Sequence, residues 1–488
     1  MRPPDYNWFI HNWRDSAHVE LLMPSEFYYR VRLRAQAVGR IRLDDVETLI
    51  GQALYRALYE PDRFGAMTTI LEAIQPTPII VDTPPSAMTG RSLNGPLECD
   101  KRALRDTGGH FPALGLSAFW VPWSLAHNLD HLDRFAEYAL SCGATYVRWF
   151  GNHDWAGGTS IRVPNYWDLM HKTIEALAQY NLRSLITLAT RSHLIDEPVS
   201  YARTWAELVC DQRDRVIGCE MVNEADHGDN DWHLDDLHAM TEAFQERAAI
   251  RTVVTAPLGG TFEDMIAATD RYYGGVRGAK IDHGLRTFHF ARRNNTDEGD
   301  WRAIRQPWHS RFLPRFVINN EPQRWDRTIT HSVEWAAVAT IVSWIAGCGM
   351  HCHHDVVGVF NDRGHYADQD GATQLATVWS RVLPQLPDDL ANWVPCRVGE
   401  IPERHPFPDL IHHHWAFNNI DHGVSRAFAT KRGNRFVMAL AGVRDHVPLN
   451  DERPQPYRVY SLATGEQVYE GHGPVTLRGA QAYLVLSV

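Results

Sequence analysis

The sequence predicts an α/β protein: a (β/α)8 TIM barrel with an amino-terminal accessory segment and a carboxy-terminal all-β sandwich. Three observations lead there. Between about residues 112 and 360, short apolar runs of strand length alternate eight times with longer amphipathic ones, the pattern of a parallel sheet closed on itself. After about residue 395 the helical period disappears and short strand-like runs follow one another between Gly and Asn turns. A chain of 488 residues is also too long for one small core.

Taken in order, residues 1–90 read as an accessory or anchoring segment of unknown fold, aromatic and Arg-rich, with one amphipathic helix pattern near Val46–Tyr59. Pro84–Pro96 has the Gly, Ser and Pro content of a linker. The barrel is expected over residues 91–390 and the sandwich over 391–488. Leu97–Phe111 reads as a hairpin turning at Gly108-Gly109, suited to plug the amino-terminal mouth of the barrel. The eight candidate strands are Ala113–Val121, Thr145–Phe150, Ser184–Ala189, Val216–Val222, Thr252–Thr255, Leu285–Phe290, Arg315–Asn320 and Gly349–His354. Helical patterns between them include His131–Cys142, Trp167–Tyr180, Tyr201–Arg213, Asp235–Arg247 and Val333–Ala346, with Ala372–Leu383 as the last barrel helix. Sandwich strands are expected at Arg435–Gly442, Tyr457–Leu462, Glu466–Tyr469 and Ala482–Val488.

Composition excludes several partners. A formal net charge of -11 without a compensating basic run argues against nucleic acid. The longest apolar stretch, Trp335–Met350, is shorter than a membrane span and reads as a buried barrel helix. The amino terminus has no apolar core of signal-peptide length, so synthesis in the cytoplasm without Sec-type export is expected. The seven cysteines are scattered through apolar segments, which suits buried thiols better than a disulfide framework.

Two strings carry chemistry. Val216-Ile217-Gly218-Cys219-Glu220-Met221-Val222-Asn223-Glu224 and Arg315-Phe316-Val317-Ile318-Asn319-Asn320-Glu321-Pro322 are apolar runs that end on a carboxylate and pass at once into loop residues. A (β/α)8 barrel places its reactive groups at the carboxyl ends of its strands. Two glutamates delivered there from different strands are the minimum equipment for cutting a glycosidic bond. By the strand count they end strands four and seven.

With Arg148 in Tyr146-Val147-Arg148-Trp149-Phe150 on strand two, this arrangement resembles the clan A glycoside hydrolases, the group of cellulases, mannanases and many β-glycosidases. The resemblance covers roughly residues 97–385. More narrowly, Trp301–Trp308 and Asn319-Asn320-Glu321-Pro322 are similar to cellulase-like proteins of phage and metagenomic sequences. The resemblance implies a retaining enzyme acting on an oligo- or polysaccharide with no cofactor and no metal. Glu224 would be its acid/base, with a raised pKa, and Glu321 its nucleophile, held ionised by Arg148. Asn223 would hydrogen-bond the sugar 2-hydroxyl, and His289 would stand beside the nucleophile. Strand six lacks the family's tyrosine and strand eight, Gly349–Asp355, lacks the tryptophan that floors the first sugar site, which leaves the substrate open.

Trp155, Trp232, Trp301 and Trp325 fall in loops after strands two, four, six and seven, where they could stack on sugars. Arg292, Arg293, Arg324 and Arg327 share those loops and would suit an acidic glycan. Two rival readings remain. One is a non-catalytic glycan-binding or virion-structural protein on a glycosidase scaffold, joined to a larger assembly through residues 1–90. The other is a metal-dependent hydrolase using His351, His353 and Asp355, which alternate along strand eight and so face one way.

Overall fold

The computed structural model describes residues 91–248, 250, 252–256, 262–273, 286–289, 307–308, 310–312, 316–321, 333–396, 426–441, 447–449, 456–472, 475–477, 480 and 482–488. The expectations for residues 1–90, Trp301, Trp325 and the four loop arginines lie outside them. The chain divides into two compact units. The larger, Pro85–Leu125 with Asp130–Val488, holds the barrel strands and the carboxy-terminal sheets.

Eight parallel strands form the barrel, here numbered one to eight: Ala113–Ser117, Tyr146–Asn152, Arg183–Ala189, Val216–Val222, Thr252–Thr255, Arg286–Phe288, Val317–Asn319 and Met350–His353. They are hydrogen-bonded in the order five, four, three, two, one, eight, seven, six, so strands five and six meet at the remaining seam. Strands two, three and four are buried along their whole length, which explains their near-continuous apolar sequence: a parallel strand is covered on both faces. Registers Gly115↔Tyr146 and Tyr146↔Arg183 align the first three strands. Gly115 is required where it stands, because a Cβ there would meet the Tyr146 ring at 2.2 Å.

The expected hairpin at the base is a three-stranded meander, Glu98–Asp100, Ala103–Asp106 and Gly109–Phe111. Its second turn uses Thr107-Gly108, and Gly109, at φ +106°, opens the third strand instead of completing a Gly-Gly turn. The meander seals the amino-terminal end of the barrel through Asp106. That carboxylate accepts from Arg183 at the start of strand three (3.0 Å) and from Arg91 (2.7 Å), and neither the Asp106 nor the Arg183 side chain is exposed. Phe111 lies between the two guanidinium groups, 4.4 and 5.6 Å from its centroid.

Helix Val333–Ile345 is buried on nearly all sides. It lies between barrel strand eight and the carboxy-terminal sheet, and a helix covered on two faces has no polar stripe to show. That sheet has six strands in the order Val394–Cys396, Arg426–Arg432, Arg435–Ala441, Ala482–Ser487, Tyr457–Ser461, Gln467–Gly471. A two-stranded sheet, Val447–Leu449 with Val475–Leu477, supplies Leu477 and Val475 to the core formed by Phe436, Met438, Tyr457, Val459, Tyr483 and Val485. Val394–Cys396 had no strand signal because it contains Pro395, and proline is confined to the sheet edge where this strand lies. The described residues include all seven cysteines, and no disulfide joins them.

Burial would raise the Asp106 carboxyl, but Arg91, Gly108 and Arg183 together hold it below the ordinary Asp value. Its contribution is therefore present above the unfolded value near ~4 and is lost as pH falls through the depressed folded value. Asp106→Asn leaves Arg183 buried and unpaired and should cost about 3 kcal/mol at pH 7. Urea unfolding measures this; the gap between wild type and variant should narrow below about pH 4.

Candidate active site

The alternation that turns Tyr146 into the barrel also turns Arg148 inward, fully buried. Its guanidinium joins three strands. One amino group donates to Glu321 after strand seven. The other donates to Glu220 on strand four (2.8 Å) and to the side-chain oxygen of Asn223 (2.8 Å). Phe119 and Phe150 lie 5.2 and 5.0 Å from it, closing the apolar side. Glu220 also accepts from the Thr187 hydroxyl (2.6 Å) and the Ala256 N–H (3.1 Å). An arginine offers only donors, so Asn223 must present its oxygen here and keeps its amide N–H groups for a ligand.

Glu224 stands one residue past Asn223 in the left-handed region, φ +41°. A non-glycine residue held there is strained by about 1–3 kcal/mol. The turn is fixed by Asn230, whose amide donates to the carbonyls of both Asn223 and Glu224 at 2.8 Å. Thr255 of strand five receives the Ala225 N–H at 3.1 Å. The result lifts the Glu224 carboxylate off the strand and points it at His289. His289 Nδ1 lies 2.7 Å from Glu224 and 3.6 Å from Glu321. Ligand atoms of Glu224, His289 and Glu321 all lie within 4.8 Å of one another. Burial lowers the His289 pKa against the opposing pull of Glu224.

Glu224, Glu321, Arg148, Asn223 and His289 are thus brought together. Trp155 lines the adjoining wall, half-buried, with its centroid 4.5 Å from His153 and 5.8 Å from Phe150. Trp232 is buried, and its indole N–H donates to the Thr190 carbonyl at the end of strand three. That bond pins the loop after strand four. Trp325 lies outside the described residues.

The strand-eight ligand set of the rival metal-dependent reading, His351, His353 and Asp355, is not brought together. His351 and His353 do share a face, but it is the outer one. His351 bonds Ser343 of helix Val333–Ile345 (3.1 Å) and Asn319 (3.3 Å), and His353 packs on Trp379 at 5.1 Å. Asp355 caps the short helix Val356–Val359 by accepting from the Val357 N–H. The histidine that reaches the site is His354, with Nδ1 3.0 Å from Ser117 Oγ and Nε2 3.8 Å from Glu321. Among the described residues, Glu224, His289 and Glu321 are also spaced as cation ligands. The Arg148 guanidinium already on Glu321 opposes a second positive charge there.

Glu220, Thr187, Asn230 and Ser117 were not singled out from the sequence, and His354 was noted there only as a strand-eight histidine of open role. Glu220 had a signal: it is a charge in the middle of an apolar strand, four residues before Glu224. A carboxylate placed there must be paired inside the barrel.

No protein-family model matches the sequence, and no curated protein matches it. Solved structures do. One described as a glycoside hydrolase aligns with a TM-score of 0.54 at 14% identity, over 82% of this chain and 98% of its own. A GH30 endoxylanase from Clostridium papyrosolvens C71 aligns with a TM-score of 0.45 at 8% identity, over 78% and 96%. Alpha-galactosidase I from Mortierella vinacea gives 0.44 at 10% identity, over 77% and 96%. The first of these establishes a fold shared with a glycoside hydrolase.

The buried histidines make the protein acid-sensitive. Burial pushes His351 and His153 down to about 3, and His131, His353 and His365 down to about 4. The unfolded chain takes up these protons near pH ~6.5, the folded chain only well below it. Stability should therefore fall as pH drops from about 6.5 towards 4. Urea midpoints across that range should decline steadily, and less steeply in His353→Leu. A flat profile would contradict the burial of these rings.

Proposed function

We propose that the chain is a glycoside hydrolase that cleaves a β-linked oligo- or polysaccharide by double displacement, with retention at the anomeric carbon. The observation that carries this reading is the placement of oxygens of Glu224 and Glu321 within 4.8 Å of one another. Retaining enzymes hold their carboxyl groups about 5–5.5 Å apart, whereas inverting enzymes leave about 6.5–9.5 Å for a water. The fold shared with a glycoside hydrolase supports the same reading.

In this scheme Glu321 attacks the anomeric carbon as Glu224 gives its proton to the departing glycosidic oxygen. A covalent glycosyl-enzyme forms and the leaving sugar departs as an alcohol. Glu224, now a carboxylate, takes a proton from water; the resulting oxygen nucleophile displaces Glu321 and restores both groups. Arg148 pairs with Glu321 before attack and as it leaves. A neutral His289 ring has one donor and one acceptor nitrogen, so it can hydrogen-bond Glu224 in either protonation state. The free amide of Asn223 faces the 2-hydroxyl, and Trp155 offers an aromatic side wall. No cofactor enters.

The test is a panel of polysaccharides and aryl β-glycosides run on wild type, Glu224→Gln and Glu321→Gln, with the product anomer followed by NMR. Glu321→Gln should abolish turnover, and Glu224→Gln should lower it by about 10²–10⁴-fold. The first-formed product should keep the β configuration. An inverted product, or an active Glu321→Gln enzyme, defeats the mechanism. Wild type that binds glycans without cleaving them would favour a non-catalytic scaffold. A strong chelator should leave turnover unchanged; loss restored by a metal would move the chemistry to a cation held by Glu224, His289 and Glu321.

A further inference from the structure

Among the described residues, the inner face of the barrel carries buried polar atoms without a partner. At its carboxyl end they include both side-chain atoms of Asn320, both of Asn152, and Nε2 of His289. Asn152 is 0% exposed, and Asn320 and His289 are each 1% exposed. A buried amide left unpaired costs about 1–3 kcal/mol, so two of them in one barrel mouth call for an explanation.

Their direction follows from the strands. Asn319 turns outward to Ser343, so Asn320, the next residue, turns into the barrel. Its N–H donates to the Phe288 carbonyl at 3.2 Å, which carries the strand six–seven ladder one step past the Asn319↔Phe288 pair. Asn320 therefore sits beside His289 and directly before Glu321. On strand two, Gly151 faces the helices, since a Cβ there would meet Trp205 at 2.6 Å. Asn152 accordingly shares the inward face of Arg148 and Phe150, at the same carboxyl end of the barrel. The contrast with Asn230 is informative: that amide, in the loop after Glu224, is bound to the carbonyls of Asn223 and Glu224.

We infer that Asn320 and Asn152 are specificity-determining residues that hydrogen-bond ring hydroxyls of the sugar at the cleavage point, which is a neutral glycosyl unit. This rests on the hydrolase reading above and adds the class of its substrate. A side-chain amide presents one acceptor and one donor group, the complement of two neighbouring hydroxyls. It carries no charge to pair with a uronate or sulfate. Such a group would also have to lie against Glu321 and Glu220, which share a single guanidinium. Recognition by amides further suits a strand eight that delivers His354 where an aromatic platform would otherwise lie.

The experiment compares wild type with Asn320→Leu and Asn152→Leu, which are close in shape but cannot hydrogen-bond. Thermal unfolding of the ligand-free proteins comes first. With no partner among the described residues to lose, both variants should melt at the wild-type temperature or a few degrees above it; a fall of many degrees would make the amides structural and overturn the inference. Next, kcat/KM is measured on neutral aryl β-glycosides and their monodeoxy counterparts. Each variant should lose at least about tenfold on the parent glycoside. For one deoxy position, wild type should lose a similar factor and the variant nothing more. Equal losses for wild type and variant at every deoxy position would overturn the inference. If wild type hydrolyses no glycoside, the hydrolase reading fails, and calorimetric binding of the same aryl glycosides decides the inference separately. Equal affinity of wild type and Asn320→Leu would then sink it.

Discussion

The site depends on one buried cation. Arg148 is wholly removed from water, where a cation requires paired acceptors close by. Glu220, Asn223 and Glu321 fill one side, and the rings of Phe119 and Phe150 close the other. Strands two, four and seven are tied at one point as a result, and the Glu321 carboxylate is held by the same group that organises the core. The charge balance also matters. One guanidinium is shared by two carboxylates, Glu220 and Glu321. In the proposed reaction, a transition state with oxocarbenium character would gain from carboxylates in such a dry site, where their field is weakly screened.

The opposite end of the barrel repeats the device with other residues. Arg183 enters strand three as Arg148 enters strand two, and it too is buried against a carboxylate, Asp106 of the sealing meander. The barrel thus has an ion pair at each end and aromatic and aliphatic packing between. Helix Val333–Ile345 then locks strand eight against the carboxy-terminal sheet, so the β domain is a second wall of the barrel. His351 belongs to that wall, hydrogen-bonded to Ser343.

Much of this was legible in the sequence, and the limits have physical causes. The eight strands were visible because parallel strands must be apolar on both faces, and Val216–Val222 and Thr252–Thr255 fall where expected. Glu224, Glu321 and Arg148 stood out as charges at or within such runs. Strand eight marks the boundary of what period can say. Alternation shows that His351 and His353 share a face, but both faces are buried, so it does not show which one looks inward. That choice is made by Ser343 and Asn319, partners distant from strand eight or on another strand. Helix Phe262–Tyr273 went unread because Ala and Thr residues dilute its apolar stripe. Strand Arg426–Arg432 was hidden by its charged ends. Asn230 was unreadable in principle, since its role is to hold two carbonyls six and seven residues away.

That role bears on why a glutamate occupies a backbone conformation better suited to glycine. The left-handed turn at Glu224 stops strand four abruptly and swings the side chain across the mouth, towards strand six. A glycine would relieve the strain and remove the carboxylate, so the chemistry requires the strained choice. Asn230 and Thr255 offset it with hydrogen bonds to the backbone on either side of the turn. His289 then meets the Glu224 carboxylate with a ring whose pKa burial lowers, whereas Glu321, on the far side of the same imidazole, meets a guanidinium. Two identical side chains within 4.8 Å are therefore distinguished by their neighbours alone. Under the proposed mechanism this difference in neighbours is what assigns the proton to Glu224 and the attack to Glu321.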